Sequence, residues 1–205
     1  MLNRSRAARR VASLGLAAVA VALAAAPAEA AITIPGATPL SSCPDPALSQ
    51  PFSALGDSHY YTLAPGGDFT DAAGWQLSGG ASVVNAPQAD GTTGGVLDLP
   101  SKAQATSPVM CITADYPTAR LHVRNLKGSE GVFFYVSYLQ KGAWTTPKNT
   151  GQFHGTQTAW TLSNPMNVQP LNTTGWQQVR FTFVSGGTTS RFQVDDFWVD
   201  PRAHW

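Results

Sequence analysis

Aspartate and glutamate are the residues with which this chain would have to do acid–base chemistry, and beyond its first thirty residues it has one glutamate, Glu130. Glycoside hydrolysis uses two carboxyl groups roughly 5 to 10 Å apart, one of them held protonated. Glu130 lies in Gly128-Ser129-Glu130-Gly131, a turn in which a solvated side chain is expected. Asp195 and Asp196 are adjacent, so alternation along a strand sends them to opposite faces and not into one cleft. Nucleophilic chemistry has no better foothold. There is no Gly-x-Ser-x-Gly and no His-Glu-x-x-His, and His59, His122 and His154 stand singly, where a surface or core imidazole is the ordinary role. No catalytic residue is assigned, and a glycan- or ester-active hydrolase is only a remote alternative.

Binding chemistry is better supplied. Sugars offer C–H faces that stack on aromatic rings, and hydroxyls that pair with amide, hydroxyl and guanidinium groups. With Val132, Phe134, Val136 and Tyr138 turned inward, Phe133, Tyr135 and Ser137 point out. In Arg120-Leu121-His122-Val123-Arg124 the apolar pair faces in, and Arg120, His122 and Arg124 face out. A hairpin across Lys127-Gly128 that keeps both strands in one sheet would join these residues into one patch, with Gln178 and Arg180 beside it. The predicted ligand-binding set is therefore Phe133, Tyr135, Arg120, His122, Arg124 and Arg180. A plainer explanation of the same residues is solubility and cross-strand packing on an exposed sheet face. A second candidate is a rim group of Trp144, Phe153, His154 and Trp160, whereas Trp75, Trp176 and Trp198, set in strand-like phrases, are assigned to the core.

The elements that must carry these side chains are short. Apolar or alternating runs are separated by Gly, Pro, Asn and Asp clusters, and none keeps a helical period for three turns. Strands are predicted over 60–63, 75–77, 81–85, 96–99, 104–107, 120–125, 132–139, 158–162, 177–184 and 190–199. Alternation from Gln178 to Phe183 sends Val179, Phe181 and Phe183 inward, and Gly186-Gly187 reads as the hairpin turn before the last strand. Long, uneven loops such as 140–156 fit two packed antiparallel sheets better than a closed barrel.

Residues 1–30 carry Arg4, Arg6, Arg9 and Arg10, then an apolar run from Val11 to Ala26, then Ala28-Glu29-Ala30, which is the succession of a secretory signal peptide. The run is Ala-rich and shorter than the roughly 20 residues of a membrane span, so cleavage after Ala30 and secretion to the extracellular space are expected. Residues 31–53, rich in Pro, Ser and Ala, form an extended N-terminal arm, and 54–205 form one β-sandwich domain. Losing the leader removes four Arg and one Glu, leaving nine basic against eleven acidic residues and a net charge of −2. Such a chain lacks the basic footprint that nucleic acid or anionic lipid demands. Cys43 and Cys111 both lie in the exported part, where oxidising surroundings favour a bridge over two free thiols.

Leu63-Ala64-Pro65-Gly66-Gly67-Asp68-Phe69, followed by Gly74-Trp75, and Phe192-Gln193-Val194-Asp195-Asp196-Phe197 are similar to the opening and closing phrases of jelly-roll carbohydrate-binding modules with a galactose-binding-like fold. The resemblance implies an all-β chain folded as a two-sheet antiparallel jelly-roll sandwich. It also implies a structural calcium between the opening loop and the final strand, with Asp68 and either Asp195 or Asp196 as acidic ligands. Thr70 stands where that family often has Glu, and the alternative is that Asp195 and Asp196 cap a sheet edge or bond to the opening loop. Cys43-Pro44, Gly66 to Phe69, Ser107 to Cys111 and Asp195 to Pro201 also resemble phrases in a group of exported proteins of high-GC Gram-positive bacteria, a likeness that implies a fold and a bridge but no activity. The expected function is that of a secreted, monomeric, non-catalytic module binding a glycan of the cell envelope or the environment. The alternative is an envelope or adhesion domain whose flat face meets another protein.

Overall fold

Short runs with one apolar side must bury that side against another sheet, and here two sheets do so face to face. A computed structural model describes residues 38–202 apart from 116, 155 and 171–173; the expected leader and the start of the arm lie outside the described residues. The strands are β1 (Thr62–Leu63), β2 (Gln76–Ser78), β3 (Ser82–Pro87), β4 (Thr93–Pro100), β5 (Gln104–Thr106), β6 (Met110–Ile112) and β7 (Thr118–Lys127). They continue as β8 (Val132–Gln140), β9 (Ala143–Trp144), β10 (Lys148–Phe153), β11 (Thr161–Leu162), β12 (Met166–Asn167), β13 (Gln177–Ser185) and β14 (Arg191–Asp200). Sheet I runs β11-β7-β14-β4-β3, with β1 beside β14 and β12 beside β7. Sheet II runs β10-β8-β13-β5-β2, with β6 beside β13 and β9 beside β8. Neighbours in both sheets are antiparallel, which makes the two-sheet jelly-roll sandwich expected from the sequence.

The inward residues of β8, β13 and β14 supply the centre of the core. Phe134, Phe181, Phe183 and Phe197 are all fully buried, with ring centroids 5.1 to 5.5 Å apart across the Phe197 contacts. Each such ring contributes about 1.5–3 kcal/mol by leaving water. Trp75 stacks on Phe183 at 6.0 Å and belongs to this core as predicted. Trp198 does not. It alternates with the core residues Phe197 and Val199, so it lies half-buried on the outer side of sheet I, against Phe52. Trp176 is also half-buried, with the Arg202 guanidinium 4.9 Å above its ring.

The outer face of sheet I is not bare. Ser49 and Tyr61 exchange backbone hydrogen bonds, and the segment between them folds back through a 3₁₀ turn, Ser53–Leu55, over β7 and β14. Phe52 and Tyr61, each 1% exposed, pack edge to face at 5.1 Å and form a small apolar layer that also meets His122 and Trp198.

Two expected hairpins turn out to be crossings. β7 lies in sheet I and β8 in sheet II, and β13 and β14 divide likewise, so the turns at Lys127-Gly128 and Gly186-Gly187 carry the chain between sheets. Gly186 N–H donates to Gly131 O at 2.8 Å and ties the two crossings together. Glu130 sits half-buried between them, its Oε2 out of water and without a hydrogen-bond partner among the described residues, rather than solvated as expected from the turn. The disulfide between Cys43 and Cys111 is present.

Candidate functional site

The six predicted binding residues do not share a surface. Arg120, His122 and Arg124 on β7 face outward from sheet I, while Phe133 and Tyr135 on β8 and Arg180 on β13 face outward from sheet II. Alternation placed each side chain on the correct side of its own strand. The shared-sheet hairpin that was to unite them is a crossing, so the two trios look in opposite directions.

On sheet I the cations are held by the fold itself. Arg120 pairs with Asp57, donates from Nε and Nη2 to Ser163 O at 3.0 and 2.8 Å, and lies 5.3 Å over the Phe52 ring. Tyr61 Oη donates to Asp57 Oδ2 at 2.8 Å. Burial alone would raise the Asp57 carboxyl; the hydrogen bonds from Tyr61, the His59 N–H and Arg120 outweigh it and hold the group below its ordinary value. Arg124 donates to Gln193 Oε1 at 2.9 and 2.6 Å and covers the Trp160 ring at 4.4 Å, and Trp160 Nε1 in turn donates to Pro87 O. This trio is engaged in packing and pairing, the plainer of the two explanations offered by the sequence.

Asp195 and Asp196 also depart from simple alternation. Val194 and Phe197 are both core residues, so the two aspartates between them form a bulge, with Asp196 at φ 51° in the left-handed region. Asp195 is register partner of His122, and Asp196 Oδ2 also approaches His122 Nδ1, at 4.0 Å, so the pair is not split between opposite faces. Asp195 Oδ2 accepts the Ala89 N–H at 2.8 Å, and its Oδ1 is buried without a hydrogen-bond partner among the described residues. Burial, then the charges of Asp195, Asp90 and Asp68, pushes the Asp196 carboxyl up to about 6. Burial, then Arg120, lowers His122. Asp196 thus senses the charges of Asp68 and Asp195, but among the described residues no three carboxylate, imidazole or thiolate side chains converge as metal ligands, and this trio does not by itself fit a calcium ion.

Sheet II presents a different outer face. Phe133 and Tyr135 lie on β8 opposite Gln152 and Asn149 of β10 on one side and Val184 and Thr182 of β13 on the other. Two glycines make room for this arrangement. A Cβ on Gly186 would meet the Phe133 ring at 3.0 Å, and one on Gly131 would meet His154 at 2.8 Å. The Phe133 and His154 rings consequently stand edge to face, with centroids 6.4 Å apart. Toward the far end of β8, Leu139 pairs with Trp144 of β9, and the Arg180 guanidinium lies 4.5 Å over the Trp144 ring. Burial lowers Arg180, which is 4% exposed, yet a guanidinium stays charged in any protein setting. Thr106 and Thr182 share a hydrogen bond at 3.0 Å, while Ser137 Oγ and Gln76 Oε1 are buried on this sheet without a partner among the described residues. The seven strands of sheet II contain no aspartate or glutamate, whereas sheet I carries Asp98, Asp195, Asp196 and Asp200.

The rim group is likewise divided. Trp144 joins the face of sheet II, Trp160 belongs to Arg124 on sheet I, and Phe153 packs against the core. Between them, at the β7–β10 edge, a cleft of about 310 Å³ is lined by Phe153, His154, Gln157, Leu162 and Asn164.

No family model matches the chain, and neither does any curated protein sequence, so the expected kinship with exported proteins of high-GC Gram-positive bacteria finds no support in sequence. Solved structures resemble it in outline. An arabinose-bound GH51 α-L-arabinofuranosidase is 17% identical over 70% of this chain, with a TM-score of 0.47, and this chain spans 27% of its length. A xylan-binding domain of CBM22 is 12% identical over 70% of this chain and 97% of its own, with a TM-score of 0.47. A CBM61 module in complex with β-1,4-galactotriose is 15% identical over 65% of this chain and 90% of its own, with a TM-score of 0.41. None of these places a residue of this chain in a binding role.

Proposed function

We propose that this protein is an exported, non-catalytic carbohydrate-binding module that lays a glycan along the outer face of sheet II. One observation carries the proposal: Phe133, Tyr135 and Trp144 line one side of that face beside Arg180, on a sheet whose seven strands hold no carboxylate. The rings supply stacking surfaces for sugar C–H faces. Asn149 and Gln152, opposite Tyr135 and Phe133 on β10, supply donors and acceptors for hydroxyls. Hydrolysis from this face would need a carboxyl pair, and its strands offer none.

Calorimetric titration of wild type and Tyr135→Ala with β-1,4-linked xylose, galactose and glucose hexaoses tests the proposal. Loss of one stacked ring should weaken binding about tenfold, equivalent to about 1.4 kcal/mol. Arg124→Ala, on the opposite sheet, should leave affinity unchanged. Silence of folded wild-type protein toward all glycans tried, or a loss with Arg124→Ala instead of Tyr135→Ala, overturns it.

The adhesion alternative has its own observation. Leu48 and Tyr60, 40% and 56% exposed, border a hollow of about 440 Å³ near Asp200 and Arg202. A protein docked there would be lost on Tyr60→Ser, with glycan affinity unaffected.

A further inference from the structure

We infer that the N-terminal arm closes one end of this face, so that the site takes the end of a sugar chain and not an internal stretch of it. This rests on the glycan-binding proposal above. Cys111 and Gln178 are register partners on β6 and β13. Their strand neighbours Met110, Ile112 and Val179 are core residues, so Cys111 and Gln178 both point to the outer side of sheet II, the side that carries Tyr135. The arm is fixed to both. Cys43 is bonded to Cys111 with the Cα atoms 5.7 Å apart. The Gln178 side-chain amide accepts from Leu40 N–H at 2.8 Å and donates to Leu40 O at 2.7 Å, so it pairs with the arm as a neighbouring strand would.

The position of this crossing decides what it does. Gln178 is one step beyond the Val179–Tyr138 pair, level with Leu139 and therefore with Trp144. From Gln178 to Val184, the partner of Phe133, is six residues of extended chain, about 20 Å. Along that length lie Arg180 with Ser137, Thr182 with Tyr135, and Val184 with Phe133. At the Phe133 end the boundary is Gly131, Gly186 and the ring of His154. At the Gln178 end a covalently held backbone crosses from β6 to β13. Pro44 and Pro46 follow the bridge and stiffen the arm. A polymer lying along β13 would have to pass through Leu40 to Cys43, whereas a chain end can abut them. A wall already fixed by a disulfide and two hydrogen bonds costs little ordering when the ligand arrives.

The test counts binding sites per gram of polymer. A β-1,4-linked xylan, galactan or glucan that the protein binds is titrated before and after limited cleavage by an endo-acting hydrolase. A chain-end binder finds more sites in proportion to the ends created, and sites per gram that stay constant while binding persists overturn the inference and leave the glycan-binding proposal standing. If no polymer or hexaose binds, both fall together. Opening the wall should convert one behaviour into the other. Gln178→Ala with the disulfide intact, and Cys43→Ser with Cys111→Ser, should each gain sites on uncut polymer; variants that are folded and still count only ends also overturn the inference.

Discussion

Asp196 is the residue at which electrostatics and backbone geometry of the final strand meet, and replacing it with asparagine should stabilise the protein at neutral pH. Its carboxyl is moved from an ordinary 3.8 up to about 6 by burial, then by Asp195, Asp90 and Asp68. The folded chain therefore keeps a proton there that the unfolded chain has already released. That contribution is complete below about 3.8 and is lost as pH rises through about 6, after which the native state bears an unfavourable charge. The shift of roughly two units corresponds to about 3 kcal/mol, and since the side chain is 34% exposed, solvent screening reduces it to about 1–2 kcal/mol. His122, 4.0 Å away, opposes this trend. Its lowered value makes its contribution present above 6.5 and lost as pH falls. Comparing Asp196→Asn with wild type cancels most of the His122 term, and asparagine accepts the φ of 51° as readily as aspartate. Urea unfolding should give a variant about 1–2 kcal/mol more stable at about pH 8, with the two proteins converging near pH 4. A variant less stable at pH 8 would refute the reasoning, because the carboxylate would then be wanted for its charge. Rescue of wild type alone by millimolar calcium would identify a cation as the reason.

Two further outcomes follow from the packing. Replacing Cys43 and Cys111 by serine opens a loop closed over a separation of 68 residues, and denaturant unfolding should register a loss of up to about 4 kcal/mol. An unchanged midpoint would mean that the arm is held without the bridge. Gly95→Ala would set a Cβ 1.7 Å from Phe69 O, a backbone atom that moves only if the 69–70 loop moves, so the variant should lose at least about 2 kcal/mol by thermal or urea melting.

What the sequence made legible is what neighbours along the chain determine. The alternation of Arg120 to Arg124 and of Val132 to Val136 assigned the inward and outward side chains of β7 and β8 correctly, because side-chain direction on a strand is a property of that strand alone. Which sheet a strand joins depends on partners far away, and Gly128 and Gly187 permit a crossing as readily as a hairpin. That ambiguity misplaced Arg120, His122 and Arg124. β10, Lys148-Asn149-Thr150-Gly151-Gln152-Phe153, has no apolar period, since it is an edge strand made by pairing with β8, and a bulge interrupts its register. Trp144 was legible as a rim candidate, but its place over Arg180 and the arm contact at Gln178 depend on partners far away in the chain and were not. The aspartate bulge had one faint local sign, two short polar residues between core positions in Val194-Asp195-Asp196-Phe197, which a strict period of two cannot accommodate.

The position of β14 has a consequence for how the molecule is made. Residues 191–200 are the last described strand in the chain, yet they lie in the interior of sheet I, between β7 and β4 and against β1. Until they have been synthesised, β4 and β7 have nothing to join them, and the core lacks Phe192, Val194, Phe197 and Val199. Contacts of such long sequence separation make folding slow. A nascent chain of this design cannot complete its core until about residue 200 has been made.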